Sequence, residues 1–139
     1  MKAAGVPVTV AASKAEPIQT LVGDKDPGET LEPNLTLDEV DPEGYDVLVI
    51  PGGTINADAL RLDKSAVSLV SVFASAGKTV AAICHGPWLL AEADVARGKT
   101  ATSYPSLSTD LRNAGATWVD EEPQDVRGQR VDAADVAHA

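Results

Sequence analysis

Two apolar runs that each end abruptly in a glycine-bearing turn constrain this chain more than any other feature. Tyr45-Asp-Val-Leu-Val-Ile50 is almost continuously apolar and stops at Pro51-Gly52-Gly53. A strand covered on both faces reads this way, because neither face has to meet water. Thr79-Val-Ala-Ala-Ile83 is the second such run, and it leads directly into Cys84-His85-Gly86-Pro87-Trp88-Leu89-Leu90. Proline suits the first turn of a helix, where its missing N–H would have no intrahelical partner, so Pro87 starts a helix rather than breaking one. Between the two runs, Ala66, Leu69, Val70 and Phe73 stand at i, i+3, i+4 and i+7, forming one apolar helix face that Gly77 closes.

The flanks are read more coarsely. Val6–Ala11 is expected to be a strand, preceded at Met1–Gly5 by the last turn of a helix. Residues 23–44, rich in Gly, Pro, Asp and Glu, are expected to be a solvated loop with one short strand around Leu31–Leu37. Thr100–Thr102 and Thr117–Val119 read as strands, with a helix over about Ser106–Asn113 between them. Strands alternating with helices predict an α/β domain with a mainly parallel, doubly wound sheet. Ligands of such sheets sit beyond the carboxyl ends of the strands. Gly52-Gly53 and Cys84 both fall at such ends.

Composition narrows the function classes. The length of 139 residues suits one domain, and with 44% apolar but only 4% aromatic residues its core must be aliphatic. The net charge of −10 is uneven: residues 1–43 hold 3 basic and 9 acidic side chains, and residues 100–139 hold 3 and 7. Residues 44–99 balance at 5 and 5, which marks them as the place for a packed core and a site. No basic stripe follows a phosphate backbone, so nucleic acid is not expected as a partner. A single cysteine excludes an internal disulfide and a cysteine-based metal cluster, and neither metal nor cofactor is expected. No run reaches membrane-spanning length and no signal-peptide pattern opens the chain, so a soluble cytoplasmic protein is expected, without membrane contact.

The passage from strand through Cys84-His85-Gly86 to helix is a nucleophile-elbow arrangement. A side chain on that turn projects from the sheet edge, and the partial positive charge of a helix N-terminus favours a thiolate there. The His85 amide can donate to a developing oxyanion, and the Gly52-Gly53 turn can bring a second N–H close. A lone cysteine after an apolar strand is more often an inert buried residue. The elbow, together with a Gly-Gly turn on a second strand, reverses that balance.

Val47-Leu-Val-Ile-Pro-Gly-Gly53 and Ala81-Ala-Ile-Cys-His-Gly-Pro-Trp-Leu-Leu-Ala91 resemble the DJ-1/PfpI superfamily. Ala57-Asp-Ala-Leu-Arg61, Thr102-Ser-Tyr-Pro-Ser106 and Asp110-Leu-Arg-Asn-Ala-Gly-Ala-Thr-Trp-Val-Asp120 resemble its PfpI-like branch of intracellular proteases and stress proteins. The resemblance implies a flavodoxin-like fold of the class I glutamine amidotransferase-like type, and assembly into dimers or hexamers. It also implies peptidase, glutathione-independent glyoxalase or deglycase activity. By the same resemblance Cys84 matches the nucleophile, His85 its neighbour in the triad, and Asp58 the triad acid, reaching the histidine of an adjacent subunit. Asp58 is read equally as the N-cap of the short helix before Arg61. Trp88 is read as core or pocket wall.

The resemblance further implies a strand and a glutamate-bearing loop ahead of Met1, and another strand and a closing helix after Glu122. The domain is accordingly read as residues 1–122, shortened at its N-terminus, followed by a divergent tail at 123–139. The expected function is a cysteine-dependent stress-protection enzyme acting on reactive carbonyls, their adducts or peptides. The alternative is a non-catalytic redox-sensing or stress-binding module built on Cys84. A glutamine amidotransferase would need a later His-x-Glu pair, which the chain lacks. A hydrolase ordered Cys84, Asp135, His138 would depend on a penultimate residue.

Overall fold

The structure, a computed structural model, describes residues 5–23 and 25–120. The helix end expected at Met1–Gly5 is described only at Gly5, and the tail at 123–139, with Asp135 and His138, lies outside the described residues. In chain order the elements are β1 (Ala11–Ala12), β2 (Ile18–Val22), β3 (Asp26–Leu31), β4 (Leu35–Thr36), β5 (Val47–Ile50), α1 (Thr54–Leu62) and α2 (Lys64–Ser75). There follow β6 (Thr79–Ala82), α3 (Pro87–Glu92), β7 (Thr100–Ala101), α4 (Ser108–Asn113) and β8 (Thr117–Trp118).

The two apolar runs pair with each other. β5 and β6 are parallel and in register from Val47 against Thr79 to Ile50 against Ala82. Parallel neighbours need a long crossover, and α1 and α2 supply it. Asp63 begins α2 by accepting from the amides of Ser65 and Ala66 at 2.9 and 3.3 Å. The apolar face foreseen on α2 is the buried one: Ala66, Leu69, Val70 and Phe73 join Ile50, Val80, Leu89, Leu90 and Leu111 in one core. Gly77 leaves α2 at φ 71°, a left-handed closure that glycine adopts without a Cβ clash. No described helix is long and apolar enough to cross a membrane.

Two expectations need correction. Val6–Ala11 pairs as a strand only at its end, where Ala11 and Ala12 lie parallel to Leu35 and Thr36. Upstream, Val10 bonds Asn34 through main chain and side chain, but residues 6–9 have no ladder partner among the described residues. The stretch 23–44 is not a loop with a single strand. Asp26–Leu31 turns back antiparallel on Ile18–Val22 as a hairpin, and the later strand is confined to Leu35–Thr36. Main-chain bonds carry that hairpin while Leu21, Val22 and Leu31 stay exposed, so no buried apolar pattern announces it.

Candidate active site around Cys84

The ladder between β5 and β6 continues one residue past β6, with Ile83 N–H donating to Ile50 O at 3.1 Å. The chain then turns sharply at Cys84, whose φ of 56° is left-handed. For a residue with a Cβ this conformation costs on the order of 1–3 kcal/mol and persists only when its surroundings enforce it. Two main-chain bonds do so: Gly86 N–H donates to Ile83 O at 2.7 Å, and Tyr104 N–H donates to Cys84 O at 2.8 Å. Close packing does the rest. A Cβ on Gly86 would lie 2.9 Å from Ile50 O and 3.0 Å from Ile83 O, and one on Gly52 would lie 2.7 Å from Cys84 Cβ. Only glycine at both positions lets the end of β5 lie against the elbow. Pro87 then opens α3, as its position foretold.

His85 is 6% exposed, the one buried polar or charged residue among those described. Its Nδ1 stands 3.2 Å from Cys84 Sγ, and its Nε2 stands 3.4 Å from Thr54 Oγ1. Tyr104 stacks on the imidazole at 4.7 Å between centroids and 24° between planes, and Trp88 meets it edge-on at 5.5 Å. Trp88 is itself held. Its Nε1–H donates to Asp110 Oδ2 at 2.8 Å, and the Arg61 guanidinium covers its ring at 5.5 Å from the centroid. Arg61 in turn donates to Glu92 Oε2 through Nε and Nη2 at 3.3 and 3.1 Å. Cys84 remains partly exposed, whereas His85 is buried.

The structure thus brings Gly52, Cys84, His85 and Trp88 together. Gly53 is the N-cap of α1 with φ 88°. Neither its amide nor that of His85 is bonded to another group among the described residues. Asp58 is not an N-cap, because α1 already begins at Thr54 and places Asp58 in its interior. Its side chain is exposed, one turn after Thr54 on the same helix side, and forms no ion pair or hydrogen bond among the described residues.

Thr54 and Tyr104 are the site residues that sequence reasoning missed. Tyr104 stands just past the carboxyl end of β7, the same position in the fold that singles out Gly52 and Cys84, so that rule could have found it. Thr54 had no signal beyond following the Gly-Gly turn. A groove of about 300 Å3 lined by Leu37, Val40, Lys64, Ser68, Leu69 and Val72 shares no residue with this site.

The family model for the DJ-1/PfpI family matches residues 1–137. Deglycase PH1704 of Pyrococcus horikoshii is 47% identical over 95 residues, covering 68% of this chain and 57% of that protein. The chain therefore spans little more than half the length of this curated relative. Among solved structures, a two-domain protein of Anabaena variabilis with DJ-1/ThiJ/PfpI-like and ferritin-like domains superposes with a TM-score of 0.80 at 37% identity, over 86% of this chain and 33% of that one. Drosophila melanogaster DJ-1beta does so with a TM-score of 0.76 at 34% identity, over 87% of this chain and 62% of its own. The parallel strand pairs and their helices belong to a flavodoxin-like α/β fold, and the chain is a member of the DJ-1/PfpI family.

Proposed function

We propose that this protein is a cysteine-dependent stress-protection enzyme whose Cys84 attacks reactive carbonyls or their adducts on amines, in the manner of a deglycase or glyoxalase. The observation that carries the reading is the pairing of Cys84 Sγ with His85 Nδ1 at 3.2 Å on a strained elbow that other parts of the chain hold in place. A relative named a deglycase, 47% identical over 95 residues, supports the substrate class. In the reaction the thiol proton passes from Cys84 Sγ to His85 Nδ1, and the freed sulfur pair forms a bond to the carbonyl carbon. The carbonyl oxygen takes up the negative charge, and the amides of Gly53 and His85 are the donors suited to it. Trp88, fixed by Asp110 and Arg61, forms the wall behind the imidazole. Asp58, exposed and without a partner among the described residues, is available to the His85 of a neighbouring copy. A small carbonyl or its adduct is favoured over a peptide because relatives similar to this chain are named deglycases.

The test compares wild type with Cys84→Ala on methylglyoxal, on a glycated amine and on a fluorogenic peptide. Consumption of either of the first two that disappears in the variant is the expected result. Equal turnover by both proteins would refute the reading. A thiol that oxidises in peroxide while all three substrates survive would place Cys84 in a redox-sensing module instead.

A further inference from the structure

We propose that Thr54 is a positioning residue that fixes the proton arrangement of His85, its hydroxyl accepting from Nε2–H so that Nδ1 faces Cys84 Sγ as a free base. The inference deepens the reading of Cys84 and His85 as the reacting pair and rests on it. A neutral imidazole carries one N–H and one lone pair, and only the nitrogen with the lone pair can take a proton. Because Nδ1 is the nitrogen at 3.2 Å from Sγ, the working tautomer must carry its proton on Nε2. After transfer the S–H bond is broken, an Nδ1–H bond is formed, and both ring nitrogens are donors. The thiolate accepts from Nδ1–H. The proton on Nε2 needs an acceptor of its own, and a buried donor without one is costly.

His85 is 6% exposed, and among the described residues of its own chain Thr54 Oγ1, at 3.4 Å, is the side-chain oxygen in reach of Nε2. The bond is long, and it costs little to make. Thr54 is the first residue of α1, its backbone set by the Ala57 N–H bond to Gly53 O at 2.9 Å, and its branched side chain has few rotamers in a helix. The ring cannot turn away to find another acceptor either, since Tyr104 covers a face and Trp88 an edge. Thr54 thus serves the resting pair and the ionised pair with the same contact. The opposite tautomer would have Nδ1–H donate to a thiol sulfur, a weak acceptor.

The experiment uses the full chain with Thr54→Val, which keeps the shape and removes the acceptor, and Thr54→Ser, which keeps the acceptor. Two readouts are taken: the rate of Cys84 alkylation by iodoacetamide at neutral pH, and the nitrogen resonances of the His85 ring, assigned against His85→Asn. In wild type the neutral ring should be protonated at Nε2. Thr54→Val should slow alkylation about three- to tenfold, the factor a hydrogen bond of this kind carries, and Thr54→Ser should stay within about twofold of wild type. Thr54→Ala gives the same comparison if valine disturbs the first turn of α1. A wild-type ring protonated at Nδ1, or valine and alanine variants that alkylate as fast as wild type, would overturn the proposal. Neither readout needs turnover, so a failure on methylglyoxal strikes the substrate reading and leaves this inference to its own result.

Discussion

Cys84 holds a left-handed backbone position that side chains seldom adopt, and two glycines are what make room for it. Gly52 is the more telling of the two, because the atom it would crowd is Cys84 Cβ itself, with Sγ 3.5 Å away. The neighbour is a short side chain on a fixed turn, so it cannot swing aside as the tip of a lysine would. Gly52→Ala is therefore expected to cost about 1–3 kcal/mol, the usual penalty for overpacking, and to displace the sulfur from His85. Melting temperature and the alkylation rate of Cys84 should fall together. Gly44→Ala is the control, since a Cβ there meets nothing within 4 Å. An alanine at 52 that leaves both readouts at the wild-type level would show that the elbow is looser than its contacts imply.

At the scale of elements, α2 shows how one carboxylate ties distant parts together. Asp63 caps the helix through two amides and also accepts from the Ser13 hydroxyl, fifty positions away in the chain. The Ser13 hydrogen bond is the main cause holding the Asp63 carboxyl below the usual aspartate range; burial opposes it, and the Ala66 and Ser65 amides add to it. A group with a lowered folded-state value stabilises the fold above its unfolded value of about 3.9, and that stabilisation is lost as pH falls through the folded value. Asp63→Ala should cost about 0.5–2 kcal/mol near neutrality. The difference in Tm from wild type should shrink below about pH 4, and a constant gap down to strong acid would exclude the charge from the effect. This helix was legible in the sequence because its buried face, Ala66 to Phe73, follows from local periodicity, and β5 and β6 were legible because strands covered on both faces need unbroken apolar runs. The partnership of Cys84 with His85 was implied by the family resemblance of the elbow segment, and the two side chains stand 3.2 Å apart. The β2–β3 hairpin was not legible, because its exposed side chains leave no buried pattern, and Thr54 was not, because its place beside His85 depends on a contact across 31 residues.

The whole molecule raises the question of how its sheet is closed. The described strands form four separate two-stranded ladders: β1 with β4, β2 with β3, β5 with β6, and β7 with β8. In a flavodoxin-like sheet such strands stand side by side, yet β1 and β5 each have one ladder neighbour among the described residues. Val47 at the start of β5 is 43% exposed, although its apolar run belongs to a strand type covered on both faces. An unpaired buried main-chain group costs roughly 1–3 kcal/mol, and a domain has only about 5–15 kcal/mol in all, so a few open groups decide whether it stays folded. Pairing between copies would give β1 and β5 a second ladder neighbour. The outer side of α1 points the same way, since Ile55 and Leu62 are 75% and 78% exposed at i and i+7, with Asp58 between them. Burying that side against a second copy would remove apolar surface from water and bring a carboxylate toward the neighbour's His85. We therefore expect the apparent melting temperature of the 139-residue chain to rise with protein concentration, and turnover to fall on dilution in step with dissociation. Asp58→Asn should lower kcat in the assembled protein without lowering its melting temperature. Cooperative melting independent of concentration, with activity retained in a proven monomer, would show that the chain closes its sheet and completes its site alone.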